Sequence, residues 1–592
     1  MLDTTIAVAD HQPPPEQRMH IVDDRSDHQE TGAAADPGPV SSRTLIVVAV
    51  IVAALLRTAW ALRHGLALEQ EGVEYARIAQ NLLAGRGFVG MLNNGTQLNF
   101  APLYPIMIAG LSILLGSAAL AARVICIAFG AALVIPTFKI AERLYGRRAA
   151  EAAAALVVFH PVLIAGAAST YAEGPYLTLL MSGLLWLMRW ATSRRVRNSI
   201  AAGVLFGLAY LVRPEAFVLV GVFVVGGVLI ALLEKDRRPV WFGTLGLAVA
   251  FTVVAAPNIV FLTRSTGTIR IEAKGTLAYQ WGQKINEGMT YQEGAYGIGP
   301  DLSERGVYMK PYLAAMSSAR ITPGQYVAYL ATSVQRNRGE IQRTIVDEPA
   351  LGCPILFALV VIGLFGSRWD RRRIGLEGTL LATAGTMVLI LLSVQQIWFR
   401  FFYPLLGPLL LWGAKGADDL GEWGRAVVAS LWRDGTAAAA GGALVKWTSI
   451  GLLCVVSLRA VPDLAQFKDS LFGDRVRAGR WLAAQAPPHK WVMDMGNQVA
   501  YYAGGDLLYL PYATSDLALR YIAKRKPDYV VLMGAPKNYL PYTAEWYDRG
   551  IPDRRAVLVY DDSTSAEEGL KIYRWVADSA ATSVTGVRRD QR

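Results

Sequence analysis

Charge is scarce in this chain: 18% of its 592 residues are Asp, Glu, Lys or Arg, against 53% that are hydrophobic. A soluble multidomain protein of this length carries more charge, so the composition indicates an integral membrane protein. Cysteine is scarcer still. Cys126, Cys353 and Cys454 all fall in apolar segments, which leaves the polar regions no disulfide framework and fixes no redox compartment. Of the six histidines, His11, His20 and His28 lie in the N-terminal tail while His64, His160 and His489 stand alone, which argues against a histidine metal site. There is no P-loop, Gly-rich nucleotide loop or dinucleotide fingerprint. No cofactor is implied, and the sequence is silent on a divalent cation. The net charge of +11 does not indicate a nucleic-acid partner, because Lys and Arg occur in short clusters between apolar runs, with no basic stripe of interleaved aromatics.

Long apolar runs take the place of charge. Thr44 to Leu62, ~19 residues, is long enough to cross a bilayer core. Before it, Met1 to Ser42 is rich in Asp, Glu, Gln, Pro and His without apolar periodicity, so residues 1–42 are expected to be a disordered cytoplasmic tail rather than a cleaved signal peptide. Further runs lie near 121–140, 149–166, 171–190, 199–212, 216–233, 241–262, 350–365, 374–394, 399–413 and 447–461. That makes about eleven spans. With the N terminus inside, every basic cluster falls on the cytoplasmic side: Arg143, Arg147 and Arg148; Arg194, Arg195 and Arg197; Lys235, Arg237 and Arg238; Arg368 and Arg371 to Arg373; Lys415 with Arg425. This parity requires Leu103–Gly116, at ~14 residues short for a span, to stay in the outer interface or re-enter.

The expected organisation is a transmembrane domain over 43–462, with external loops 63–120 and 263–349, and an extracytoplasmic domain over 463–592. In the last part AGRWLAAQAP and DLALRYIAKRK read as helices, and KWVMDMG, DYVVLMG and AVLVYDD as strands. The fold class is thus mainly α and polytopic, with a C-terminal soluble α/β domain. The expected location is the plasma (inner) membrane.

The first external loop carries the chemistry of interest. Glu69, Glu71 and Glu74 open a segment in which Val73, Ile78, Leu82 and Leu83 recur at roughly helical spacing, and Glu71 and Tyr75 fall at i and i+4 on one face. Two readings stay open on spacing alone: an interfacial helix with solvated carboxylates, or a carboxylate placed at the membrane surface to take a proton from an attacking hydroxyl.

The pattern EGVEYARIAQNLLAGRGF followed by APLYP resembles the first external loop of the protein O-mannosyltransferase and aminoarabinose transferase superfamily, membrane glycosyltransferases of the GT-C fold. Their usual form is an Asp, a Tyr four residues on, A-x-x-L-x-x-G-x-G, then P-x-Y-P. The resemblance extends over most of Arg57 to Tyr403. It is reinforced by Arg57 in LLRTAWAL, Arg123 in AARVICIAFG, IAERLYG, Glu173 in STYAEGPYL, LVRPE at Arg213 to Glu215, and RFFYP at Arg400 to Pro404. It implies an inverting transfer from a polyprenyl-phosphate sugar to a protein, lipid or polysaccharide acceptor, with the loop carboxylate as general base. By motif position that base is Glu71, where the family generally has Asp, with Glu74 or Glu69 as candidates to share the role and Tyr75 in support. The lipid A branch has a Glu-Lys pair before its Pro, whereas this chain has Phe100-Ala101-Pro102, which argues against an aminoarabinose assignment.

Arginine within or beside a span faces a cavity or pairs with an anion. Arg400 and Arg123, both near outer ends of spans, are the expected ligands of the donor phosphate. Arg57 is expected to pair with Glu173, Arg213 to hold a tight turn or contact substrate, and Tyr403 to support the site. Loop residues between Tyr279 and Tyr312 are expected to select the acceptor. A donor delivered on a lipid fits the missing nucleotide motifs. The competing classes are a transporter or flippase, which also uses intramembrane Arg and Glu, and a non-catalytic envelope assembly protein.

Overall fold

The computed structural model describes residues 41–64, 67–91, 95–311, 322–346, 354–394, 396–432, 434–459, 470–487, 489–534, 537–562 and 569–577. The expected N-terminal tail and Tyr312 lie outside them. The chain divides into two compact units, residues 1–45 and 46–592, and of the first only residues 41–45, at the start of helix α1, are described.

Within the described residues, each of the eleven apolar runs is largely helical. In chain order the helices are α1 (Ser42–His64), α2 (Gln70–Leu83), α3 (Leu103–Leu115), α4 (Ala118–Ala132), α5 (Val134–Tyr145), α6 (Arg147–Phe159), α7 (Pro161–Ala168), α8 (Glu173–Ser193), α9 (Val196–Val212), α10 (Ala216–Leu233) and α11 (Arg238–Thr266). After them come α12 (Lys274–Asn286), α13 (Tyr291–Tyr296), α14 (Pro323–Val346), α15 (Ile355–Phe365), α16 (Arg371–Ser393), α17 (Tyr403–Leu431) and α18 (Gly435–Arg459). By length and apolar character six of the described helices qualify as spans, or seven if α6 and α7, bent by 50° at His160–Pro161, count as one. The others fall short for readable reasons: α9 and α15 are short, while α8 and α17 carry polar residues along their length. Residues such as Leu233, Phe242 and Val253 stand exposed on α10 and α11, as a lipid-facing surface requires. Helix α3 has 13 residues and ends at Gly116 in the left-handed conformation, about 20 Å of helix against the ~30 Å a span needs.

Buried ties hold the bundle together. Arg57 donates to Ala53 O at 3.1 Å and Val157 O at 2.9 Å, so its partners are backbone carbonyls of α1 and α6 and not Glu173. A carbonyl partner satisfies a buried guanidinium without requiring a carboxylate. Helices α15 and α17 cross so closely at Gly363 and Gly416 that a Cβ at either would run into backbone of the other helix.

The molecule has two polar ends. At one end Arg143 bonds Thr192, Arg148 pairs with Glu422, and Arg194 pairs with Glu234 at 2.6 Å. There too Glu377 pairs with Arg373 at 2.5 Å and accepts from Trp412 Nε1 at 3.1 Å, which brings the turn before α16 beside α17. The five basic clusters therefore gather at one end. The other end holds the cavity described below.

Beyond α18 come α19 (Ser470–Gln485), β1 (Trp491–Asp494), α20 (Gln498–Tyr502), β2 (Asp506–Tyr509), α21 (Ser515–Arg525), β3 (Tyr529–Met533), α22 (Thr543–Arg549), β4 (Ala556–Asp561) and β5 (Leu570–Trp575). They form a five-stranded mixed sheet of order β2-β1-β3-β5-β4, parallel across β2-β1-β3 and antiparallel across β3-β5-β4. The three expected strands and both expected helices are present. Two strands went unread: β2 (DLLY) is four residues long, and β5 (LKIYRW) breaks its apolar alternation with charge. This sheet region docks on α2: Asn497 Nδ2 donates to Gln70 O at 2.7 Å, Arg77 to Gly505 O at 2.9 Å, and Leu68 N to Tyr502 Oη at 3.1 Å.

Candidate active site

The site is built on the first turn of α2. Its three glutamates divide the work. Glu69, the residue before the helix, is buried and accepts hydrogen bonds from the backbone N–H of Thr170 at 2.9 Å and from the Thr170 hydroxyl. Gly72 permits this approach, because a Cβ there would run into Thr170 Oγ1. Glu74 points to the other side and accepts from Met91 N at 2.9 Å, which fixes the polar turn that follows the helix. Tyr75 packs edge-on against Phe100 and Tyr104, at 4.9 and 4.8 Å between centroids. Glu71 alone of the three faces a cavity.

That cavity, about 260 Å³, lies between α2, the turns that open α10 and α17, and the loop carrying α12 and α13. One wall is ionic and continuous. Glu71 Oε1 accepts from Arg400 Nη2 at 2.5 Å, and Arg400 Nη1 lies 3.7 Å from Glu173 Oε1. Glu173 Oε1 also accepts from Arg213 at 2.6 Å, Arg213 reaches Glu215 at 3.2 Å, and Lys274 Nζ meets the same Glu215 oxygen at 3.2 Å. Three carboxylates thus interleave with three cations. Burial pushes the Glu71 carboxyl up, but Arg400, with help from Lys274 and Arg213, outweighs it and holds the group at about 2. Burial likewise pushes Glu215 up, and Arg213 and Lys274 outweigh it, so it too sits low. Glu272, also on the cavity, goes the other way: burial raises it, and the Gly275 N–H together with Lys274 and Arg270 does not outweigh that. The opposite wall is aromatic and apolar, with Tyr279, Trp281, Tyr291 and Tyr308 from the loop, Trp398 before the Arg400 turn, and Met387 and Leu391 of α16.

The structure brings together Glu71, Arg400 and Glu173. Arg123 stands apart from them: it is 4% exposed, donates to Ala168 O and at 2.7 Å to Ala67 O, and does not line the cavity. Tyr403 is also turned away, its hydroxyl donating to Val162 O at 2.9 Å while its ring fills the space beside Gly166. The partner of Glu173 is Arg213, which sequence reasoning placed at a turn. Lys274 and Glu272 escaped that reasoning altogether. Their one signal is an EAK triplet just past an apolar run, and only the fold returns it to the loop of Glu71.

The helical bundle thus carries an acidic helix over an ionic and aromatic cavity, with the mixed α/β sheet region packed behind that helix. Residues 99–261 match the family described as dolichyl-phosphate-mannose-protein mannosyltransferase. The fold is similar to that of the oligosaccharyltransferase AglB from Archaeoglobus fulgidus, solved with an inhibitory peptide and a dolichol-phosphate (TM-score 0.56, 13% identity, 90% of this chain and 74% of that one). It is also similar to ArnT from Cupriavidus metallidurans bound to undecaprenyl phosphate (TM-score 0.51, 12% identity, 91% and 99%). No curated protein matches the sequence.

Proposed function

We propose that this protein is a membrane glycosyltransferase that moves a sugar from a polyprenyl-phosphate donor to a hydroxyl of a protein, lipid or polysaccharide acceptor on the extracytoplasmic face, with inversion. The observation that carries this reading is the division of labour on α2: Glu69 and Glu74 are bound to neighbouring backbone, while Glu71 opens on the cavity beside Arg400. In the transfer, Glu71 takes the acceptor's proton as the acceptor oxygen forms its bond to the anomeric carbon. The bond from that carbon to the phosphate oxygen breaks, and its electron pair leaves with the polyprenyl phosphate, whose charge Arg400 stabilises. The donor phosphate falls to Arg400, with Arg213 and Lys274 adding positive charge to the same wall, while the backbone ties of Arg123 favour a supporting role. The aromatic wall supports sugar recognition, since pyranose faces stack on such rings.

The two-ended distribution of charge supports eleven passes with the basic end in the cytoplasm. On that topology the N terminus is cytoplasmic, and loops 63–120 and 263–349 and residues 463–592 are extracytoplasmic.

The test is transfer in detergent from a radiolabelled polyprenyl-phosphate sugar to membrane extracts. Wild type should label acceptor. Glu71→Gln should stay folded and lose at least ~10²-fold of the rate. Substrate movement in sealed vesicles with no transfer in detergent would replace this reading with a transporter.

A further inference from the structure

While bonded to each other, Glu71 is a weakened base and Arg400 offers a phosphate only part of its fork. One carboxylate oxygen, Oε1, is held by Arg400 Nη2 at 2.5 Å, and that nitrogen of the guanidinium is not available to a phosphate while the bond lasts. The other nitrogen of Arg400 is poised differently. Nη1 is buried without a hydrogen-bond partner, 3.7 Å from a Glu173 oxygen that Arg213 already engages at 2.6 Å. The guanidinium sits over the Tyr171 ring, 4.7 Å from its centroid, a surface that leaves its edge free to exchange partners. The cavity's remaining cations are committed, Arg213 to Glu173 and Glu215 and Lys274 to Glu215.

We propose that the Glu71–Arg400 pair is a latch operated by the donor: an incoming phosphate takes Arg400 from Glu71, and the carboxylate becomes a competent base only then. This rests on the function proposed above and adds an order of events to it. A bidentate Arg–phosphate contact uses both nitrogens, including the unpartnered Nη1, so the exchange satisfies a group the empty site leaves unsatisfied. Glu71, released, keeps its negative charge but loses the cation that made it a weak proton acceptor. The proton gained from the acceptor leaves to solvent when the polyprenyl phosphate departs and Arg400 returns to the carboxylate. The latch thus ties base strength to donor occupancy. The other groups facing Glu71 are Lys274 and Arg213, which stay engaged by Glu215 and Glu173, together with Tyr75 on its own helix, Tyr171 and Tyr291 of α13.

Competition for Arg400 has a signature in binding alone. Affinity for farnesyl phosphate, a short prenyl phosphate without sugar, is measured in detergent at fixed salt for wild type, Glu71→Gln, Arg400→Ala and the double variant. Removing the competing charge should tighten binding in Glu71→Gln by about tenfold, the scale on which directly paired charges couple. The gain should vanish when Arg400 is Ala. Glu71→Asp, which shortens the competing arm, should tighten binding by less and reads the same competition if the Gln variant folds poorly. Affinity unchanged or weakened in both Glu71 variants overturns the latch and leaves the base assignment standing. Wild-type transfer by Glu71→Gln overturns the base assignment and the latch together, whatever the affinity.

Discussion

At residue 71 one methylene separates Glu from the Asp usual in the resembling family, and the structure indicates where that length goes. The longer arm reaches from the first turn of α2 to Arg400 across the cavity mouth. A site adjusted to it should lose activity on shortening, because an ångström of displacement at a reacting group is costly. Glu71→Asp should therefore transfer more slowly than wild type and faster than Glu71→Gln in initial-rate assays. Glu71 also leaves a mark on stability. Its carboxyl is held at about 2, below the ordinary 4.5, so its pairing stabilises the fold above pH ~4.5 and is lost as pH falls toward 2. The difference in thermal midpoint between wild type and Glu71→Gln should be larger at pH 6 than at pH 3. Arg400→Lys should recover only part of the activity lost in Arg400→Ala, since an ammonium lacks the planar fork that spans two oxygens.

At the scale of elements, α2 is a hub. It packs its apolar face on α3 and α4, anchors Thr170 through Glu69, and receives the C-terminal sheet along Gln70, Arg77 and Gln80. Its position depends on the bare face of Gly72. Gly72→Ala must push Thr170 off Glu69, at a cost of roughly 1–3 kcal/mol typical of overpacking. A lowered unfolding midpoint, together with reduced transfer, is expected. Asn497→Ala removes the tie from the sheet region to Gln70 O and should speed amide hydrogen exchange in α2 and α20 without abolishing the fold, as exchange followed by mass spectrometry will report.

At the scale of the whole molecule, the gathering of five basic clusters at one end and of the cavity at the other makes orientation testable. A reporter active only outside the cytoplasm should be active when fused after Arg592 and silent when fused after Arg197. The reverse result places the cavity in the cytoplasm and removes the reason for a lipid-borne donor.

Apolar runs and basic clusters are local quantities, and from them the sequence alone determined a polytopic helical bundle, the shared end of its basic loops and the α/β character of its last part. The i, i+4 spacing of Glu71 and Tyr75 marked a helix that the structure contains and that lines the cavity, since a helix face is set by its own few residues. Which of Glu69, Glu71 and Glu74 faces the cavity was decided only by tertiary contacts, with Thr170 and Met91 claiming two of them. The partners of Arg57, Arg123, Glu173 and Arg400 were likewise beyond spacing. A buried guanidinium is satisfied as well by a carbonyl as by a carboxylate, and which one it meets depends on how helices far apart in the chain pack together. Lys274 enters the site for the same reason: the path of the chain after α11, and no pattern within it, carries that ammonium to Glu215.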